Sequence, residues 1–497
     1  MNIKLVDLLY GDEKIPTQTL FADIDIDTTS TLFNIDYEEI IKAALSNFDK
    51  LMMVDAVHKL IRPNIEFTNP MTTQTIYHNL NNDDIIASYK SGYKVLFNNT
   101  IQANRNLFAV VRNGMYIKKL YCRPNGPENL DIDDKDISVC TNLENLNVNY
   151  NYYEDNITSR PYETCHCNYE CDCNHCHNIT TCKPFAKTLK ILSIGDGCGI
   201  SDKGLRLCTK IEKLTIYDSD DDHAITTCEP FAKTLKILLI KVDTGITDKG
   251  LRLCKSIEKL EVCDSNAITT CEPFAETLKM LVARDWCSIA DDGLRLCTHI
   301  EKLDANNNKG ITACAPFANT LKILSAQKLC GISDDGLRMC THIQNLNADN
   351  NTKITTCDPF AKTLEILFAQ SLCGISNDGL RKCMCIQNLN ADDNTKITTC
   401  NRFAKTLEIL SAQSSCGISD DGLCKCTHIR NLNADNNTKI TTCEPFAKSL
   451  RTLSAKDLCG ISDNELDQCT KLQTVRASNN KKITSRTYDR MSKQNKK

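Results

Sequence analysis

The densest run of chemistry-bearing side chains lies between residues 165 and 177. It reads Cys165-His-Cys167-Asn-Tyr-Glu-Cys171-Asp-Cys173-Asn-His175-Cys176-His177. Thiolate and imidazole are the groups that hold Zn²⁺ tetrahedrally, and a metal bound here would order a loop with little else to support it. The ligand candidates are Cys165, Cys167, Cys171, Cys173, Cys176 and His177. Their C-x-C-x3-C-x-C-x2-C spacing matches no common zinc module. Two readings therefore stand: a zinc site, or an unordered loop without cofactor whose cysteines drifted in from its neighbours.

Catalytic chemistry has no comparable foothold. The chain carries no Walker loop, no G-x-S-x-G, no H-E-x-x-H and no kinase or dinucleotide fingerprint. Three of its nine histidines, His299, His342 and His428, recur at one place in a repeat, which points to copying rather than catalysis. The expectation is a protein with no catalytic residues.

The 30 cysteines suggest a disulfide framework only in a short secreted chain. Here most of them recur in register. One column is Cys182, Cys228, Cys271, Cys314, Cys357, Cys400 and Cys443. A second is Cys208, Cys254, Cys297, Cys340, Cys383, Cys426 and Cys469. A third, broken at Thr244, is Cys198, Cys287, Cys330, Cys373, Cys416 and Cys459. Members of a column are two strands apart, about 10 Å, whereas a disulfide needs Cα atoms within about 7 Å. Bridges within a column are excluded, and the thiols are expected to pack as small apolar side chains.

The elements that must carry these columns follow from the repeat, which decides the fold. Ile-Thr-Thr-Cys or a close variant begins at Ile179, Ile225, Ile268, Ile311, Ile354, Ile397 and Ile440, with a degenerate copy at Ile483; after a first step of 46 residues the period is 43. A second phrase, Gly-Ile-Ser-Asp-Asp-Gly-Leu or similar, places its isoleucine 21 residues later each time, from Ile200 to Ile461. The unit is thus two alternating half-units. Leu321-Lys-Ile-Leu324-Ser-Ala326 and Ile300-Glu-Lys-Leu303-Asp-Ala305 share one grammar, apolar-x-x-Leu-x-small. A short helical stretch follows, as in Asp334–Cys340 or Thr356–Ala361, where Pro359 suits a first helical turn. No half-unit can bury its apolar face alone, so neighbours must stack.

The order Leu-x-x-Leu-x-apolar, Cys, Ile-Ser/Thr-Asp, Gly-Leu, Cys resembles the cysteine-containing leucine-rich repeats. That class is common in F-box/leucine-rich-repeat proteins, the substrate receptors of cullin-type ubiquitin ligases. The resemblance covers residues 106–485. It implies an α/β solenoid, a horseshoe with a concave parallel sheet and convex short helices. It also implies a protein partner, and a ubiquitin-ligase adaptor if the likeness extends to function. Alanine often replaces the third apolar strand residue, as at Ala305, Ala326 and Ala348, and Cys330 sits one place later than usual. An insertion spans about 150–178, and a basic tail, residues 486–497, reads as frayed.

In such a sheet the strand residues between buried positions face the concave cavity. In the first half-unit these are Ile323, Ser325 and Gln327, with Phe368 and Gln370 one repeat on. In the second they are Asn345, Asn347 and Asp349, then Asn388, Asn390 and Asp392. Nearer the N-terminus the face becomes charged, with Lys213, Lys241, Lys259, Glu261, Arg284 and Lys302, and with Tyr217. A protein is the natural match for this mixed surface. Repeats copied recently also look alike with nothing bound, so a purely structural or metal-binding repeat protein is the alternative.

Residues 1–105 do not repeat. Tyr37–Met52 spaces its apolar residues for an amphipathic helix ending before Pro63, and Asp83–Phe97 reads as another. A mainly helical module here is either a diverged F-box or a cap on the solenoid's open edge. The Leu-Pro start and late tryptophan usual in an F-box are absent. The formal charge of −4 argues for neither nucleic acid nor an acidic membrane as partner. The first apolar run is too short for a signal peptide, and none approaches the roughly 18 residues of a membrane span. A cytoplasmic or nuclear protein is expected.

Overall fold

The computed structural model describes residues 97–102, 117–121, 133–148, 179–195, 198–217, 225–241 and 244–494. The chain forms two compact units, Met1–Lys236 with Thr244–Leu251, and Ile237–Asp243 with Arg252–Lys497.

In the first unit five parallel strands pair in chain order among the described residues: β1 (Phe97–Gln102), β2 (Ile117–Tyr121), β3 (Asn145–Val148), β4 (Ile191–Ile194) and β5 (Lys213–Ile216). The second continues the same scheme. Its early strands are β6 (Ile237–Ile240), β7 (Lys259–Cys263), β8 (Met280–Arg284) and β9 (Lys302–Asp304). Then come β10 (Ile323–Ser325), β11 (Asn345–Asn347), β12 (Ile366–Phe368), β13 (Asn388–Asn390), β14 (Ile409–Ser411), β15 (Asn431–Asn433), β16 (Thr452–Ser454) and β17 (Thr474–Arg476). Each pairs in parallel with its successor, one half-unit later, with the central leucines in register: Leu303, Leu324, Leu346, Leu367, Leu389. Consecutive parallel strands joined by a single half-unit, with a short helical turn on the return, are the leucine-rich-repeat solenoid.

The interior follows the residue pattern. The leucines of that row are at most 1 % exposed, and Phe274, Phe317, Phe360 and Phe446 fill the space opposite them. Each of these phenylalanines ends a one-turn 3-10 helix, as at Asp358–Phe360, with proline in its first turn as the sequence indicated. The other half-unit uses one α-turn, as at Asp334–Leu337.

The phrases that revealed the repeat act between half-units. The Asp334 carboxylate accepts from the Thr355 amide (2.8 Å), the Thr355 hydroxyl (2.5 Å) and the Thr356 amide (3.1 Å). Asp291, Asp420 and Asp463 make the same clip to Thr312, Thr441 and Thr484. Most copies carry glycine two residues after the aspartate, whereas Glu465 takes that place after Asp463. A Cβ on Gly336 would lie 2.0 Å from the Thr312 carbonyl oxygen, and Gly293, Gly379 and Gly422 are equally confined.

Two regions differ from the sequence reading. Phe97–Gln102 is a strand paired with β2, so the sheet begins inside the stretch taken as a helical N-terminal region; the rest of both expected helices lies outside the described residues. The C-terminal stretch read as frayed contributes to a helix, Ser485–Gln494. It is held because Met491 is buried and the Thr487 hydroxyl donates to Asp463 (2.6 Å). Among the described residues no helix is long and apolar enough to cross a membrane.

Candidate functional site

The outer face of the second unit's sheet is built from rows set by strand register. One row runs Ile323, Asn345, Ile366, Asn388, Ile409, and the next runs Ser325, Asn347, Phe368, Asn390, Ser411. Because side chains alternate across a strand, both rows face away from the leucines between them. Ile323 is exposed, and Ser325, Asn345, Asn347, Phe368, Asn388 and Asn390 are half-buried. The structure therefore places these seven sequence-derived candidates in two adjacent rows.

A third row, just past the strand ends, is partly committed to the fold. Asp349 accepts from the Gln370 amide (2.8 Å) and side chain (3.2 Å). Asp392 does the same for Gln413 (2.8 Å each) and takes the Ser411 hydroxyl. Gln327 donates its amide to Asn306 (2.9 Å). Burial holds the Asp349 carboxyl above the usual carboxylate range, against the lowering effect of the Gln370 amide. Asp392 is buried, so it orients its neighbours more than it meets solvent.

Toward β7 the face is charged, as the sequence indicated. Glu261, only 7 % exposed, pairs with Lys241, with Arg284 (3.5 Å) and with Lys259 (3.9 Å). Arg284 also reaches Asp304 (3.9 Å) and donates through Nε to the Cys263 sulfur (3.3 Å). Burial raises both the Asp304 carboxyl and the Cys263 thiol. A carboxylate this enclosed is held by its three cations, since burying it unpaired would be costly.

Two features escaped sequence reasoning. Asn308, Asn351, Asn394, Asn437 and Asn480 are buried polar residues. Asn351 donates to the Ala326 carbonyl (2.8 Å) and the Ile332 carbonyl (3.3 Å), and accepts from the Lys353 amide (2.8 Å). Their recurrence every 43 residues was visible but was masked by an Asn-rich composition. The second is that cysteine columns one and two meet across half-units. The thiols of Cys182 and Cys208 face each other, as do those of Cys314 and Cys340, Cys357 and Cys383, and Cys400 and Cys426. Spacing along a column rules out bridges within it, whereas contact between columns depends on how the half-units pack. The thiols of both columns are buried and none is in a disulfide; they pack as small side chains.

Cys165, Cys167, Cys171, Cys173, Cys176 and His177 lie outside the described residues. Among the described residues no group of three or more His, Cys, Asp or Glu could hold a metal ion. His299, His342 and His428 each sit 2.9–3.0 Å from the preceding threonine hydroxyl, on the exposed side of three equivalent repeats.

No family model matches the chain, and no curated protein matches it in sequence. Among solved structures it is similar to the functional domain of InlJ from Listeria monocytogenes, described as including a cysteine ladder: 20% identity over 52% of this chain and 56% of that one, TM-score 0.35. The match therefore spans little more than half of the InlJ domain. It is also similar to a leucine-rich-repeat protein of Leptospira interrogans (16% identity, 81% and 93% coverage, TM-score 0.43). A third is the mouse RP105/MD-1 complex (13%, 78% and 70%, TM-score 0.44). The fold assignment stands on the strand register and buried leucine row described above.

Proposed function

We propose that this chain is a non-catalytic scaffold that binds a protein on the outer face of the second unit's sheet. The observation that carries the reading is the pair of in-register rows running through Ser325, Asn347, Phe368 and Asn390 and through Ile323, Asn345, Ile366 and Asn388. The clips and the buried asparagines hold the backbone, so these side chains are presented in fixed order at a strand spacing of about 4.8 Å. Such a surface loses little conformational entropy when a partner docks.

The test is affinity capture by the full chain and by a Phe368→Asp, Asn390→Arg variant, followed by measured affinities for each captured protein. A partner that binds the parent chain and loses at least tenfold in affinity to the variant supports the reading. Capture indifferent to these two changes sinks it.

The finer form of the reading is a substrate receptor of a ubiquitin ligase. Its support is the resemblance of the cysteine-containing repeats to those of F-box proteins. A chain lacking residues 1–105 discriminates: loss of an adaptor or cullin with the truncation supports the receptor role. Retention of the same partners on the truncated chain means that the repeats alone bind.

A further inference from the structure

Beside the sheet face, the second unit carries a separate line of exposed apolar side chains. Trp286, Leu329, Leu372 and Leu458 are 71, 59, 72 and 70 % exposed. Each occupies the same place, in the turn after β8, β10, β12 and β16, with Ser415 at the equivalent point after β14. Each follows a residue in the left-handed region: Asp285, Lys328, Ser371 and Asp457 have φ of 52–56°. These turns are tied down, because the amides of Lys328 and Ser371 donate to the Asp349 and Asp392 carbonyls of the next half-unit (2.9 and 2.8 Å). The apolar groups are therefore displayed on a fixed edge. Burial of each would be favourable, a gain the described fold leaves unused.

The alternating half-units place a lysine along the same edge at Lys353, Lys396, Lys439 and Lys482, with Lys309 one place before the equivalent Gly310, all five lysines exposed. Their ammonium groups lean toward the apolar turns. Lys309 lies 5.8 Å from the centre of the Trp286 ring. Lys396 donates to the carbonyl of Cys373, directly after Leu372 (3.4 Å), and Lys482 to that of Gly460, two residues after Leu458 (3.4 Å). The carboxylates of this edge are engaged within the fold: Asp285, Asp393 and Asp457 accept from Asn307, the Ser415 amide and Asn479, and Asp349, Asp392 and Asp435 accept from the Gln370, Gln413 and Lys456 amides.

Equivalent apolar residues are two strands apart, about 10 Å. Seven residues of α-helix rise about 10.5 Å. We propose that this edge docks an acidic amphipathic helix, with an apolar residue at every seventh position meeting Trp286, Leu329 and Leu372. Its flanking Asp and Glu meet Lys309, Lys353 and Lys396. The positive edge selects the acidic sequence, and the spacing selects helix over extended chain, whose same-face residues recur at about 6.7 Å. The site is independent of the sheet face.

The only tryptophan in the chain is Trp286, so its emission reads the site directly. The full chain is titrated with a synthetic 21-residue helical peptide carrying leucine at every seventh position and glutamate beside it. A saturable blue shift is expected. At least a tenfold loss of affinity is expected when the peptide's leucines become glutamine or its glutamates become lysine. The same loss is expected in the protein variants Leu329→Asp with Leu372→Asp and Lys353→Glu with Lys396→Glu, whose far-UV spectra should match the parent because all four side chains are exposed. No saturable shift, equal affinity for the lysine peptide, or undiminished binding by the leucine variants would overturn the proposal. So would an equal shift with a single-stranded oligonucleotide. A parent chain that self-associates in sedimentation while the leucine variant does not would assign the edge to a second copy instead.

Discussion

At the scale of single residues, buried polar groups join the leucines in setting this fold. Asn351 ties three backbone groups of neighbouring half-units inside the core. Replacing it by leucine leaves those groups unpaired away from water. An unpaired buried group costs about 1–3 kcal/mol, and an unfolding free energy lower by about that amount is expected from urea denaturation. Gly336→Ala is expected to cost more than a typical exposed substitution, because its Cβ would meet a carbonyl at 2.0 Å rather than a movable side chain. The thiols have a pH signature. Burial pushes Cys330, Cys373 and Cys416 up to about 11, from the ordinary 9.0. Below pH 9 these thiols are protonated folded or unfolded, and their contribution is complete. Above pH 9 the unfolded chain ionises first, so stability falls, and the loss continues to about pH 11. Urea midpoints in reducing buffer at pH 8 and 10.5 measure it, and a Cys330→Ala, Cys373→Ala, Cys416→Ala variant should show a shallower fall.

At the scale of elements, the natural unit is the pair of half-units. Asn351 reaches back to the half-unit before it, and Asp334 reaches forward to Thr355 in the one after. Deleting residues 322–364, one whole 43-residue period, joins equivalent positions and keeps every clip in sequence. A deletion of 322–343 sets two like half-units side by side, where the Gly336–Thr312 contact and the asparagine bonds lose their partners. The long deletion should remain folded with slightly reduced stability, as expected of a one-dimensional array. The short deletion should fall well below it in a thermal melt although it removes fewer residues.

At the scale of the molecule, an array whose repeats touch only neighbours does not open all at once. The last strand, β17, has Thr474 and Arg476 exposed and Val475 only half-buried, unlike the closed row before it. Hydrogen exchange is expected to be fastest at β17 among the second unit's strands and slowest across β10–β15. Uniform protection over β10–β17 would contradict nearest-neighbour stability. The two proposed surfaces, the sheet face and the apolar, lysine-lined edge, are carried by the same half-units.

Much of this was legible in the residues. A period of 43 made of two half-units, with leucine at fixed places, determines stacked parallel strands, because no half-unit can hide its apolar face alone. The strand positions from Ile323 to Asn390 followed from alternation along a strand, which register then aligned. What tertiary structure alone decided involves groups brought together from different half-units. Cys314 finds Cys340, Glu261 gathers Lys241, Lys259 and Arg284, and Asp392 turns inward to serve Gln413. A column in the sequence shows which residues are equivalent, but not which inequivalent ones touch. That depends on how each return segment crosses the stack, and only the packed chain settles whether an exposed Trp286 or a buried Asn351 results.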